Sequence, residues 1–150
     1  MTDKNNIAIM RGSGLPISTK LSVEICNAIR NKPLKRVKAI LTDVVDLKRA
    51  IPVRRYHWNR GHKAGGLGSA RYPVKASAIF LKLCHTLEAN AENKGLNVNN
   101  LVLVHAKADR AETKWHYSRK GRMKTKNTNV ELMAEEAASE KGVKKWLKDK

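Results

Sequence analysis

Apolar positions along this chain recur at two spacings, and the spacing changes several times between Ile7 and Ala134. Ile7-Ala8-Ile9-Met10 is a short apolar run closed by Gly12-Ser13-Gly14, which predicts a strand and a turn. Leu21, Ile25, Ala28 and Ile29 then fall at i, i+4, i+7 and i+8, the face of an amphipathic helix ending about Arg30. Ser18 is placed to cap that helix, its hydroxyl accepting from an orphaned backbone N–H. Pro33 suits the first turn of a second helix, because its missing N–H would be unpaired there anyway. Leu34, Val37, Leu41 and Val44 give this helix its stripe to about Leu47. Pro73 opens the longest helix, with Ala76, Phe80, Leu83, Leu87 and Ala91 on one face. Gly95 should end it in a left-handed C-cap that Leu96 folds back to close.

The period then changes to two. Leu101–Ala108 reads as a strand, and Val130, Leu132 and Ala134 alternate with Asn129, Glu131 and Met133 in another. Between them lie mostly basic residues with Trp115, Tyr117 and Met123 as the main large apolar groups. This pattern predicts a long β-hairpin, whose arms of about nine residues at about 3.3 Å each would reach about 30 Å. Residues 48–71 have four glycines, one proline and no helical period, and read as an irregular basic loop. Loops of that length are uncommon in compact domains unless something outside orders them. From Glu135 the tail is helix-prone: Glu135, Glu136 and Glu140 come early, and Lys141, Lys144, Lys145 and Lys148 come late.

Composition sharpens the reading. Lysine and arginine number 31 against 13 acids, a net charge of +18, while 41% of residues are apolar, enough for a core. The charge is focused. Residues 48–71 carry seven cations and no acid, and 107–126 carry eight cations against Asp109 and Glu112. The helices are nearly neutral. No run approaches the roughly 18–20 apolar residues of a membrane span, and the first thirty residues lack a secretory layout. Cys26 and Cys84 lie far apart on apolar helix faces, where each reads as a small buried hydrophobe rather than half of a disulfide. A soluble intracellular protein with a polyanionic partner follows.

Catalytic signatures fail on spacing. The Gly12-Ser13-Gly14 and Gly66-Leu67-Gly68 pairs lack a third glycine, and no Gly-Lys-Ser/Thr stands at phosphate-loop spacing. His57 and His62 are five apart, off the spacing of a helical zinc pair. No acid pair suggests general acid/base work. The expectation is a non-enzyme that needs no cofactor or metal.

The two basic stretches hold what an RNA surface needs. Arg49, Arg54, Arg55, Arg60, Lys63 and Arg71 in the loop, and Lys114, Arg119, Lys120, Arg122, Lys124 and Lys126 in the hairpin, are candidate phosphate contacts. Tyr56, His57 and Trp58, with Trp115, His116 and Tyr117, are rings able to stack on unpaired bases. A duplex-DNA reader would more often carry its arginines on a helix entering the major groove. A free-standing RNA chaperone or an RNA-modification subunit stays open on these residues alone.

Longer blocks narrow the choice. Leu15-Pro16-Ile17-Ser18-Thr19-Lys20, Arg71-Tyr72-Pro73-Val74-Lys75-Ala76 and Ala89-Asn90-Ala91-Glu92-Asn93-Lys94-Gly95-Leu96 occur in that order. Arg119-Lys120-Gly121-Arg122 and the strand Val130–Met133 with Glu135 follow. Over roughly residues 10–136 the chain resembles the universal large-subunit ribosomal protein L twenty-two family, called L seventeen in eukaryotes. The long insert at 48–71 resembles its archaeal and eukaryotic branch.

The resemblance implies an α+β fold, with a small three-stranded antiparallel sheet packed on helices and a protruding β-hairpin. It implies one domain over 1–136, with 137–150 as a C-terminal extension. It further implies a structural place in the cytoplasmic large ribosomal subunit. There the partners are large-subunit rRNA, neighbouring ribosomal proteins and the nascent polypeptide, whose exit tunnel the hairpin lines. Carried over, the hairpin falls at about 109–127, Arg119, Lys120, Gly121 and Arg122 match its basic block, and Arg71, Lys75 and Lys20 match rRNA-binding positions. Asn129 stands where most members have a histidine.

Overall fold

The computed structural model describes residues 6–56, 59–117, 119 and 121–137. The chain runs β1 (Ile7–Leu15), α1 (Thr19–Ile29), β2 (Lys32–Pro33), α2 (Leu34–Val45), β3 (Ile51–Pro52), β4 (His62–Lys63), β5 (Gly68–Arg71) and α3 (Val74–Asn93). A 3-10 turn at Val98–Asn100 leads into β6 (Leu101–Arg110), β7 (Trp115–His116), β8 (Met123–Lys124) and β9 (Thr128–Glu136). The main sheet is antiparallel in the order β1-β9-β6-β2. It is the α+β architecture expected, with a fourth strand added: Lys32 and Pro33 pair with Leu103 and Val102. A proline is tolerated there because β2 is an edge, where one N–H has no ladder partner to lose.

The helices pack on one face of this sheet. Ala8 of β1, Leu101, Leu103 and Ala106 of β6, and Val130, Leu132 and Ala134 of β9 are buried beneath Ile25, Ile29, Val37, Leu41, Val44, Phe80 and Leu87. Each large apolar side chain so buried contributes about 1.5–3 kcal/mol. Strand β6 changes its inward parity from Leu103 to Ala106 because a bulge at Val104 breaks the register between Leu103 and His105.

Three local expectations change. Strand β1 does not stop before Gly12 but runs to Leu15 with a register break between Gly12 and Leu15. Space is tight at Gly12: an added Cβ would sit 3.1 Å from Leu83 Cδ2 and 3.1 Å from Leu15 Cδ1, so both leucines would have to shift slightly. Ser18 is the N-cap residue of α1 in extended backbone, but its side chain makes no capping hydrogen bond. Pro33 is the residue before α2 rather than part of its first turn.

Gly95 does close α3 as expected. Its φ is +74, its N–H donates to Glu92 O at 2.8 Å, and the Leu96 N–H donates to Ala91 O at 3.0 Å. Both Cys26 and Cys84 are buried and unpaired with each other. The tail helix expected from Glu135 begins instead as strand, since Glu135 and Glu136 belong to β9, and residues 138–150 lie outside the described residues.

The 48–71 segment is less irregular than its composition suggests. Strands β3, β5 and β4 form a small antiparallel sheet in that order, Ile51 opposite Arg71 and His62 opposite Ser69. Two-residue strands carry no period to read, which is why the sequence shows only glycine and charge here. The 107–126 segment continues the β6/β9 ladder outward. Arg110 pairs with Thr128, the Ala111 N–H donates to Asn127 O at 3.1 Å, and Trp115 pairs with Lys124. Between those pairs one arm holds residues 111–114 and the other 125–127, so a bulge re-aims the outer strands β7 and β8.

Candidate nucleic-acid interface

Loop and hairpin meet over the start of α1. Glu24 of α1 is 3% exposed, and its carboxylate accepts three successive backbone N–H groups of the loop. Oε2 takes Arg54 at 3.2 Å, and Oε1 takes Arg55 at 2.8 Å and Tyr56 at 3.1 Å. This anchoring turns Arg54 and Arg55 outward, both exposed. Tyr56 is flanked by two cations, Arg55 at 5.3 Å and Lys20 at 5.8 Å from the ring centroid. Lys20 thus joins the loop to α1.

Lys20 also reaches the hairpin root. A cavity of about 540 Å³ is lined by Ser18, Lys20, Arg110, Lys124, Lys126 and Asn127. Beside it a second cavity of about 410 Å³ lies between Pro16, Leu21, Tyr72, Lys75 and Lys126. Lys63 of β4 stands 5.8 Å from the Tyr72 ring. The stem is held by buried Thr128, whose hydroxyl donates to Ile17 O at 2.9 Å and lies 2.8 Å from Thr19 Oγ1. With its one proton committed to Ile17, Thr128 accepts from Thr19. Asn129 likewise accepts from the Gly14 N–H at 2.9 Å, fixing the broken register of β1.

Farther out, Lys124 lies 4.5 Å from the Trp115 ring centroid, covering one side of an otherwise exposed indole. Tyr117 is fully on the surface and His116 exposed, and with Trp115 and Arg122 they line a cavity of about 310 Å³. Arg119, Lys114, Lys63, Arg71, Lys75 and Arg49 are exposed, and Arg60 is half-buried. Lys120, His57 and Trp58 lie outside the described residues.

Arg11, Lys38 and Lys107, none of them a candidate contact, find acids: Glu131 at 2.8 Å, Glu88 at 2.6 Å and Asp109 at 2.8 Å. Among the described residues, none of the candidate cations in the loop or outer hairpin, nor Lys20 or Lys75, makes an ion pair. An exposed cationic band with no ion pair and with rings set among the charges attracts polyanions, and a nucleic-acid phosphate backbone is one that matches it. Among the described residues no group of three or more His, Cys, Asp or Glu is placed to hold a metal. Nor is any described helix long and apolar enough to cross a membrane.

Comparison with known proteins identifies this arrangement. A family model described as Ribosomal protein L22p/L17e matches residues 10–132. The chain belongs to that family. It is 43% identical over 140 residues to the large ribosomal subunit protein uL22 of Archaeoglobus fulgidus, covering 89% of this chain and 90% of that one. It is 42% identical over 138 residues to the protein of the same name from Methanosphaera stadtmanae, covering 87% and 90%. These archaeal relatives agree with the branch indicated by the 48–71 insert.

Sequence reasoning missed residues that shape this candidate interface. Glu24 was legible as a lone carboxylate beside the Ile25/Ala28 stripe, a place where burial demands donors. The bond by which Asn129 fixes β1 carried no such signal. Asn90 and Lys94, within a block that marks the family, do not face the cationic band: they donate to Ile9 O at 3.0 Å and Ile7 O at 2.8 Å.

Proposed function

We propose that this chain is a structural constituent of the large ribosomal subunit that binds and organises large-subunit rRNA. The observation that carries this reading is the exposed cationic band: among the described residues, the candidate cations of the loop, the α1 start and the outer hairpin make no ion pair, and aromatic rings stand among them. Lys20, Arg49, Arg54, Arg55, Arg60, Lys63, Arg71 and Lys75 contact phosphates around the body. Lys114, Arg119, Lys120, Arg122, Lys124 and Lys126 do so along the hairpin. Each phosphate neutralised releases condensed counterions, so affinity comes largely from that entropy and falls steeply with salt. Tyr56, Trp115, His116 and Tyr117, with His57 and Trp58, supply stacking faces for unpaired bases.

The role is architectural rather than catalytic. The body, residues 1–136 with 137–150 as an extension, anchors on one rRNA region beside neighbouring ribosomal proteins. The hairpin projects from it, ties in further rRNA and contributes to the wall of the nascent-peptide exit tunnel in the cytoplasmic ribosome. The test is cosedimentation of the tagged full chain with large subunits through a high-salt sucrose cushion. Retention in the subunit fraction is expected. Release into the free fraction at moderate salt, with binding to unrelated RNAs, would favour a free-standing RNA chaperone instead.

A further inference from the structure

A third cationic site lies away from the hairpin, between α1, α2 and the start of the basic loop. It is a cleft of about 290 Å³ whose rim carries Lys32, Arg49 and Arg54. Its apolar lining is buried Ile40 and Ile51, half-buried Pro52 and exposed Leu67, and among the described residues Asn27 offers the one side-chain amide. Among the described residues Glu24 is the only acid lining it, and both of its oxygens already accept from backbone N–H groups of the loop.

Charge in this cleft is uncompensated. Among the described residues Lys32, Arg49 and Arg54 make no ion pair. Lys32 donates to Ala28 O, which uses one of its three protons and leaves two for another acceptor. Burial and then the nearby Arg36 and Arg49 charges hold the Lys32 ammonium below the usual lysine range. An anion at the rim would reverse the repulsive part of that cost. An acidic peptide could supply charge, but it would leave the apolar wall unused. The volume stands near the lower end of the roughly 300–1,000 Å³ of small-molecule pockets, room for one planar ring system. A cleft lined by both cations and apolar side chains, continuous with the Arg54–Tyr56 turn, fits a base with its phosphate.

We propose that this cleft receives one unstacked nucleotide of the bound RNA, its phosphate held by Lys32 and Arg49 and its base seated against Pro52 and Leu67. The Asn27 amide, donor and acceptor at once, reads the base edge. The inference rests on the rRNA-binding reading above and adds to it a selective site on a surface of the body that the hairpin does not reach.

The test places the photocrosslinker p-benzoylphenylalanine at position 67 in the full chain assembled into large subunits, with a second chain carrying it at position 117. Primer extension then maps the crosslinked nucleotides. The position-67 probe is expected to reach a single unpaired rRNA nucleotide. Its yield should fall roughly tenfold when Lys32→Met and Arg49→Ala are combined, as expected for lost charge-assisted bonds. The position-117 crosslink should stay unchanged, which also reports that the variant folds and assembles. Crosslinks from position 67 spread over many nucleotides or confined to protein, or a yield indifferent to the two substitutions, would overturn the proposal while leaving rRNA binding in place. Failure of both probes to reach rRNA would overturn the wider reading with it.

Discussion

The backbone N–H of Arg55 donates to Glu24 Oε1 at 2.8 Å, so a buried acid of α1 sets the path of the basic loop. With Arg54 and Tyr56 on the same carboxylate, three donors converge on one charge. Replacing Glu24 by alanine strands those donors and should cost about 2–4 kcal/mol, since bonds to a charged acceptor contribute more than neutral ones. Glu24→Gln should be intermediate, because its amide offers one oxygen and turns an N–H₂ toward other donors. Urea denaturation measures the cost. Hydrogen exchange should show the Arg55 and Tyr56 amides exchanging faster in both variants.

The edge of the main sheet depends on α3. Asn90 and Lys94 occupy the Ile9 and Ile7 carbonyls, the groups an incoming strand would use. Asn90→Ala should cost about 1 kcal/mol. Asn90→Ala with Lys94→Ala should also produce concentration-dependent association in sedimentation velocity at low salt, where the native chain stays monomeric.

One buried hydroxyl works against stability. Ser77 is fully buried on α3, and among the described residues its Oγ is the one buried side-chain polar atom without a partner. Ser77→Ala removes an unmet desolvation cost and should raise stability by about 1 kcal/mol, read as a higher urea midpoint with an unchanged slope.

The two thiols give stability a defined alkaline dependence. Burial pushes Cys26 and Cys84 up to about 12, against an ordinary value of 9.0. The folded state keeps both protons where the unfolded state releases them. Their contribution is therefore whole below about pH 9 and is lost as pH rises from there toward about 12. Lys32 runs the other way, since its folded form sheds a proton earlier than the unfolded chain. Urea midpoints between pH 7 and pH 10 should therefore fall less in a Cys26→Ala, Cys84→Ala double variant than in the native chain. At pH 8 the native thiols should resist alkylation until the protein unfolds.

The parts most legible in the sequence are those with a period. The stripes Leu21/Ile25/Ile29, Val37/Leu41/Val44 and Phe80/Leu83/Leu87 gave helices, and Val130/Leu132/Ala134 gave the central strand, because repeated burial on one face is the driving force for each. Termini specified by one hydrogen bond were less legible. Ser18 looks like a cap, yet the hydroxyls that fasten the start of α1 are Thr19 and Thr128, residues 109 positions apart. The cationic stretches were visible as composition, but their meeting at Lys20 was not. Tyr56 and Lys126 approach it only through tertiary folding. Two-residue strands such as β3 and β4 leave no pattern at all.

The central claim is that the unpaired cations of the loop and hairpin are neutralised by large-subunit rRNA. A cryo-EM map of the large subunit assembled with this chain tests it most directly. The account predicts the hairpin around Trp115, Arg119 and Arg122 enclosed by rRNA, with phosphates against Lys20, Arg55 and Lys126. A subunit in which those side chains face solvent, with the body held through protein contacts alone, would contradict it.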